Sequence, residues 1–288
     1  TKVITGIQYC QSVAADEGKP VVINMSLGTD FAPHDGSSIL ARTVDILTDG
    51  GTAQGNVVVT SAGNSGSRNM HTQADFTSGS AEATVTVPSY SPNPGPSNDF
   101  FFGTLYVYET GDYQITATAP NGTDSVSLTV LEDSTEFTSQ PTPSGTVFLE
   151  SAPDGDARYM IFQVFDAFAD SPVADGTWSI RVEGINGSTP SGTMHGWFLQ
   201  SQLGGEFTTF DGGDNAVTIG SPATAASALA VGNYWQQSQW YNSAVGSGLA
   251  FRGVPIGPIN PSSSRGPTVD GRMKPAIAGP GTYTASAL

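Results

Sequence analysis

The sequence predicts an α/β fold, with a parallel sheet and flanking helices, into which an all-β sandwich or jelly roll is inserted. Two observations lead to this prediction. Towards both ends of the chain, short continuous apolar runs follow one another, as is typical of a parallel sheet. From Phe76 to about Gly213, short segments of alternating apolar residues are separated by Gly, Asn, Asp and Pro. We therefore divide the chain into residues 1–75 with 214–288, and residues 76–213.

The first elements are predicted in the order helix, then strand. Apolar residues at helical spacing predict a helix over residues 4–13, and the turn signal at residues 17–20 ends it. Residues 21–23 and 57–59 are continuous Val and Ile runs, which predict strands buried on both faces of a sheet. Cys10 is the single cysteine, which excludes an internal disulfide, and its place in the helical pattern predicts a buried structural thiol.

A second helix is predicted between these strands. It covers residues 39–47, with Ser37 or Ser38 as its cap and two glycines after its end. The β region that follows has no convincing helix, and its clearest strands are residues 106–119, 125–130 and 177–182. Apolar runs of the α/β type return after Asp214, at residues 217–219, 229–231 and 275–278.

Composition and charge exclude several classes of partner. The 288 residues are enough for one large or two medium domains, and 35 Gly and 19 Pro indicate many turns. A formal charge of -16 repels phosphate backbones and anionic membranes, so we expect neither nucleic-acid nor membrane partners. No apolar run approaches the roughly 20 residues that span a bilayer. The first residue is Thr1, and we expect the chain to begin within a longer precursor.

Four ordered motifs carry a family resemblance. VVINMSLGT at residues 21–29, VVVTSAGNSG at residues 57–66 and SSSRGPTVDGRMKPAIAGPG at residues 262–281 resemble the subtilase family of serine peptidases. VTIGSPATAASALAVGN at residues 217–233 is similar to the stretch that follows the oxyanion region in that family. The resemblance covers about half the chain. It implies a serine endopeptidase of broad specificity, with polypeptide substrates, a secreted or cell-envelope location, and no required cofactor, although calcium is a frequent structural ion.

The second motif contains the candidate catalytic residue of this chain. Peptide hydrolysis places negative charge on the carbonyl oxygen, and a preorganised donor aimed at that oxygen lowers the barrier. Asn64 follows a predicted buried strand, and the resemblance implies that its amide is the oxyanion-hole donor. The alternative is a turn asparagine in a left-handed backbone conformation.

The same resemblance implies the substrate-binding residues. Ser26, Leu27 and Gly28 would pair with the backbone of an extended peptide as an added strand. Ala62 and Gly63 would form the opposite wall, where small residues leave room for a substrate side chain. The alternative for Gly28 is an ordinary strand-ending glycine. Residues 264–267 are similar to a structural loop of the family, without a chemical role, and no residue is assigned to a metal.

The catalytic Asp, His and Ser of the family are not found among the motifs of this sequence. In subtilases they follow one another in that order, the His in an HGT-type and the Ser in a GTS-type helix start. Neither motif occurs here, and we expect His34, His71 and His195 to be solvated rather than catalytic. We therefore expect an incomplete fold that is inactive alone. Residues 21–26 would then form an unpaired sheet edge, and we expect either self-association through it or partial disorder around it.

The β region has a resemblance of its own. Residues 176–184 and 191–200 are similar to the closing strands of the P domain of proprotein convertases. P domains normally follow the catalytic Ser, whereas this region interrupts the α/β part. We expect Trp178 and Trp197 to be core residues rather than a ligand platform.

Two questions stay open at this level. Acidic clusters could hold a structural Ca²⁺, although solvated surface charge explains each of them as well: Asp154 and Asp156; Asp166, Asp170 and Asp175; Asp211 and Asp214. The second question is whether the protein is an enzyme. The alternative is a non-catalytic scaffold, a pseudoprotease or an adhesin, that binds protein or glycan through its β region.

Overall fold

The computed structural model describes residues 2–168, 171–236, 239–242, 247–250 and 255–282. They form two compact units, Thr1–Arg68 with Asn215–Leu288, and Asn69–Asp214. In chain order the elements are α1 (Lys2–Asp16), β1 (Val21–Met25), α2 (Ile39–Leu47), β2 (Asn56–Ser61), β3 (His71–Asp75), β4 (Ser80–Val87), β5 (Phe100–Val107), β6 (Tyr113–Thr118), β7 (Ser125–Val130), β8 (Glu136–Thr142), β9 (Gly145–Asp154), β10 (Ala157–Phe165), β11 (Gly176–Gly184), β12 (Thr193–Gln202), β13 (Leu229–Trp235), β14 (Gln239–Asn242), β15 (Ser247–Ala250) and β16 (Ile277–Thr282). None of the described helices is long and apolar enough to cross a membrane.

The first unit, here called the α/β unit, contains a four-stranded sheet in the order β1-β2-β13-β16. All three pairings are parallel. Both predicted helices are confirmed, and Ser38 caps α2 by accepting a hydrogen bond from the Ala41 amide at 3.2 Å. The apolar run at residues 229–231 lies in a strand, the run at residues 275–278 enters β16 only at residues 277–278, and residues 217–219 do not lie in a strand.

The core of the α/β unit lies on one face of its sheet. Helices α1 and α2 both pack on that face, because their buried residues share one cluster with those of the strands: Ile7, Met25, Ala41, Val44, Val58, Ala225 and Ala228. On the opposite face Val22 is 67% exposed and Val57 is 42% exposed. The prediction of strands buried on both faces is therefore wrong, because alternate residues point to a face that these helices do not cover.

The predicted burial of Cys10 is also wrong, because this residue is exposed. Ile7 is the buried residue of α1 in the described part of the chain, while Tyr9 and Val13 are exposed. The helix therefore contacts the sheet along a narrow stripe that does not include the cysteine.

The second unit, here called the β unit, consists of two antiparallel sheets. A six-stranded sheet has the order β3-β12-β5-β10-β9-β8, and a four-stranded sheet has the order β4-β11-β6-β7. The sheets meet through aromatic residues, since Phe101 on β5 lies edge-on to Trp178 on β11 with ring centroids 5.8 Å apart. Trp178 and Trp197 are 0% exposed, which confirms the prediction that they are core residues. The strand β3, assigned to the α/β part from sequence, pairs with β12 in the β unit.

All three histidines are buried, so the expectation that they are solvated is wrong. His34 is 0% exposed, and its Nε2 lies 3.0 Å from the carbonyl oxygen of Asp30. In the β unit His71 contacts two partners: its Nδ1 lies 2.8 Å from Asp214 Oδ1, and its Nε2 lies 3.0 Å from His195 Nδ1. Partners distant in sequence therefore satisfy the His71 ring.

Candidate functional site

The carboxyl ends of β1 and β2 lie at the same edge of the sheet and border a pocket of about 300 Å³. The parallel register pairs Met25 with Thr60, so the residues that follow both strands come together. All six residues selected from sequence line this pocket: Ser26, Leu27, Gly28, Ala62, Gly63 and Asn64. Its other lining residues were not selected from sequence: Thr29, Asp30, Ser61, Ser65, Arg68, Gly220 and Ser221.

The turn after β2 depends on a glycine and on a serine from a distant segment. Gly63 has a φ of 111°, and a Cβ built on it would lie 2.6 Å from Ser264 Oγ. The Ser264 amide donates to the Gly63 carbonyl at 3.0 Å, and the Ser65 amide donates to Ser264 Oγ at 3.0 Å. The loop at residues 264–267, given no chemical role from sequence, therefore supports the backbone on both sides of Asn64.

The Asn64 side chain is available to a ligand. Asn64 is exposed, and its side-chain amide makes no hydrogen bond within the described part of the chain. The positive φ of this turn is at Gly63, while Asn64 is not among the residues with positive φ. A left-handed backbone conformation therefore does not explain the asparagine. An uncharged donor at this position can bind a carbonyl oxygen or an oxyanion.

Besides the residues after β1 and β2, the segment before β13 also lines the pocket, through Gly220 and Ser221. Thr29 and Ser221 exchange two backbone hydrogen bonds, at 2.9 and 3.0 Å. A Cβ on Gly220 would collide with the Thr29 carbonyl oxygen, so only glycine permits this close approach. Ser38 Oγ lies 2.7 Å from Ser221 Oγ, which joins the beginning of α2 to the wall.

Two charged residues line the pocket within the described chain, Asp30 and Arg68. Ser65 Oγ donates to Asp30 Oδ2 at 2.7 Å, whereas Arg68 Nη1 lies 3.9 Å from the same oxygen. Neither charge was predicted from sequence. Asp30 follows Gly28 of the strand-ending motif by two residues, and that position is the signal that could have revealed it.

Asp30 is the acidic residue among the lining residues of this pocket that the structure describes. No His is among its described lining residues. Burial lowers the pKa of His71, against an opposing effect of its hydrogen bond and charge interaction with Asp214. Among the described residues no group of three or more His, Cys, Asp or Glu is arranged to hold a metal ion. Asp166 instead accepts two backbone N–H groups at 2.9 Å, while Asp170 lies outside the described residues.

Comparison with known proteins finds one protein family and a solved structure that are similar to this chain. The family model of the subtilase family matches residues 1–143 and 189–288. The CspB protease of Clostridium perfringens has a similar structure, with a TM-score of 0.65 and 20% sequence identity over 99% of this chain. This chain covers 54% of that protease, about half its length. No curated protein sequence matches the chain significantly.

Proposed function

The chain belongs to the subtilase family, and from that premise we propose that it is the oxyanion-hole and substrate-binding part of a subtilisin-like serine endopeptidase. The observation that carries the proposal is the position of Asn64. Its side-chain amide, which makes no hydrogen bond to any residue that the structure describes, lies in the pocket that also contains the exposed residues after β1. A peptide bond held along those residues would present its carbonyl oxygen to that amide.

Asn64 would act by stabilising charge. As the scissile carbonyl becomes tetrahedral, its oxygen becomes negative, and a fixed amide donor stabilises this oxyanion more than the ground state. Removing the oxyanion-hole asparagine of a subtilisin costs about 10²–10³ in rate, and that measured cost sets the magnitude expected for Asn64. Ser264 would preserve the geometry, since its hydrogen bonds fix Gly63 and Ser65 on either side.

The residues after β1 would bind the substrate backbone. The ladder between β1 and β2 ends at Met25, and Ser26, Leu27 and Gly28 continue past it as exposed residues. An extended peptide could add to them as a further strand, which gives affinity with little dependence on sequence. Ala62 and Gly63 would border the space for one substrate side chain.

The nucleophile, the general base and its orienting acid are proposed to lie outside this chain, because neither family motif for His or Ser occurs in it. We accordingly expect no hydrolysis of peptides or active esters by the chain alone, and no covalent labelling by a fluorophosphonate. The β unit is proposed to be a sandwich inserted in the catalytic part, with the P-domain resemblance at residues 176–184 as its motivation. Polypeptide substrates and a secreted or cell-envelope location complete this proposal.

A product-type peptide tests the oxyanion role without a nucleophile. A fluorescein-labelled tetrapeptide with a free C-terminal carboxylate places an anionic oxygen where the oxyanion would form, and its C-terminal amide does not. We expect the acid to bind several-fold more tightly than the amide, because hydrogen bonds to charged groups are stronger. Asn64→Ala should remove this preference, and Asn64→Asp should reverse it by charge repulsion.

The control for this experiment is Asn56→Asp, which adds the same charge at the opposite end of β2. It should leave the preference for the acid unchanged. Equal binding of acid and amide to the unaltered chain would contradict the oxyanion role. Binding that is insensitive to every change at Asn64 would favour the non-catalytic alternative.

A further inference from the structure

The substrate-binding pocket contains a carboxylate whose hydrogen bonding is incomplete. Asp30 Oδ2 accepts from Ser65, whereas Asp30 Oδ1 makes no hydrogen bond within the described part of the chain. The Asp30 side chain is 22% exposed, so it is partly withdrawn from water and still accessible from the pocket. A carboxylate has about four acceptor positions, and a ligand could use those that remain.

We propose that Asp30 makes this pocket selective for peptides that carry Lys or Arg at the residue whose carbonyl faces Asn64. The inference rests on the proposed function, since it assigns a substrate class to the same cleft. An ammonium or guanidinium group would form a charge-assisted hydrogen bond with Asp30. The partly buried position strengthens this attraction relative to bulk water.

Ser65 links the specificity group to the oxyanion position. It is the residue directly after Asn64, its amide is fixed by Ser264 Oγ at 3.0 Å, and its hydroxyl donates to Asp30 at 2.7 Å. The carboxylate is therefore held at a set place relative to the Asn64 amide. A substrate whose cationic side chain reaches Asp30 would have its carbonyl positioned at Asn64, so Ser65 is a positioning residue.

Arg68 is the competing cation. Its Nη1 lies 3.9 Å from Asp30 Oδ2, beyond hydrogen-bond distance, and its side chain is 38% exposed. Without a hydrogen bond, and with Arg68 open to water and salt, this pair is only a weak attraction. A substrate cation that hydrogen-bonds Asp30 directly would displace this contact. The net charge of -16 also favours cationic over acidic ligands, because it attracts them over long range.

Four labelled peptide amides that differ only in the last residue test the proposal by fluorescence anisotropy with the full chain. The last residue is Arg, Lys, Gln or Glu, and the amide end removes any effect of a C-terminal charge. We expect Arg and Lys to bind about tenfold more tightly than Gln, and Glu to bind most weakly. The Arg preference should shrink as salt increases.

Three variants assign the effect to its residues. Asp30→Asn should reduce Arg binding to the level of Gln without weakening Gln binding. Ser65→Ala keeps the charge of Asp30 but removes the hydrogen bond that positions its carboxylate, so part of the Arg preference should be lost. Arg68→Gln should increase Arg binding several-fold, since it removes the competing cation. Asp16→Asn removes the same charge as Asp30→Asn from the exposed end of α1 and should change nothing.

The outcomes separate the two proposals. If none of the peptides binds, the proposed function of the cleft fails and the selectivity falls with it. If all four bind equally, or Glu binds best, the peptide site stands and the assignment to Asp30 is overturned. If circular dichroism shows that Asp30→Asn does not fold, two other variants replace it as the test. The weaker Arg preference expected for Ser65→Ala and the tighter Arg binding expected for Arg68→Gln then decide whether Asp30 is the selective group.

Discussion

The two units bury their apolar residues in different ways. The β unit encloses large aromatic side chains between two sheets, and its fully buried residues include Trp178, Trp197, Tyr106, Tyr113, Phe101, Phe162 and Phe198. The α/β unit buries mainly small aliphatic residues on one face of its sheet. Of the sixteen large hydrophobic residues that are exposed in the described chain, twelve belong to the α/β unit. Hydrophobic stabilisation scales with buried apolar area, so the β unit should be the more stable of the two.

The pocket lies in the unit with the smaller apolar core, and polar contacts support its surroundings. Lys274 Nζ donates to the carbonyls of Ala225 and Ala228, the latter at 2.7 Å. Arg272 donates to the carbonyls of Thr224 and Asp35, at 2.8 and 2.6 Å. Burial lowers the pKa of Lys274 to about 8, so its charged form is held at a cost in desolvation. Hydrogen bonds from these two cations therefore help to hold the α/β unit together.

The largest expected effect is in the β unit. Trp178→Ala removes a 0% exposed ring that contacts Phe101 across the two sheets. The cavity and the lost burial should destabilise the β unit by about 3–5 kcal/mol. Urea unfolding followed by circular dichroism would measure it, and amide exchange would locate it. Exchange that accelerates in β1 and β2 but not in β5 and β11 would contradict the division into two units.

Lys274→Ala is the matching change in the α/β unit. It leaves two buried carbonyl oxygens without their charged donor, and we expect a loss of about 2–3 kcal/mol. Met273→Ala is the control, because Met273 is 83% exposed and its loss should change stability by less than about 0.5 kcal/mol. Equal urea midpoints for the two variants would show that the polar contacts do not support this unit.

Much of the local structure follows from sequence, and the long-range contacts do not. Spacing identified α2 and limited its cap to Ser37 or Ser38, because a capping residue acts about three positions away, and the structure selects Ser38. A Val-Val-Ile run identifies a strand but cannot say which face will be covered, and Val22 was misassigned for this reason. Burial of β1 depends on which helices pack where, which no five-residue pattern contains.

The residues of the candidate site also include some that could be selected from sequence and others that could not. Asn64 and Gly28 could be selected because the motifs that contain them resemble those of the subtilase family, and both line the pocket. Ser264 could not, since it contacts the Gly63 turn from a loop about 200 residues away. His71 was misassigned because its partners Asp214 and His195 are also distant in sequence, 143 and 124 residues away. Residue type and neighbours predict local roles, while contacts across the fold decide burial.

Acid should weaken the β unit through His71. Burial lowers its pKa below the ordinary 6.5, so the folded state binds its proton less readily than the unfolded state. The contribution of neutral His71 to the free energy of unfolding is fully present above pH 6.5. It is lost as the pH falls from there towards the lowered pKa. His71→Gln should flatten the dependence between pH 7.5 and 5.5, read from urea midpoints. An unchanged pH profile would show that His71 is not the group responsible.

The smallest expected change in stability concerns the sheet edge. Strand β1 is at the end of the described sheet order, and Val22 is exposed on it. We propose self-association through this edge, and Val22→Lys should reduce it while changing stability by less than about 0.5 kcal/mol. Sedimentation velocity would measure the association, with Ile39→Lys on α2 as control. A monomeric unaltered chain would rule out the proposal.

The proposed function requires that an extended peptide bind along the residues after β1 with its carbonyl oxygen at Asn64. Nuclear magnetic resonance of the ¹⁵N-labelled chain tests this binding mode, by following amide signals as a product-type peptide is added. We expect the largest shifts at Ser26, Leu27 and Gly28, at the backbone of Gly63 and Ser65, and at the side-chain amide of Asn64. Shifts confined to the β unit, with an unchanged Asn64 amide signal at saturation, would contradict it.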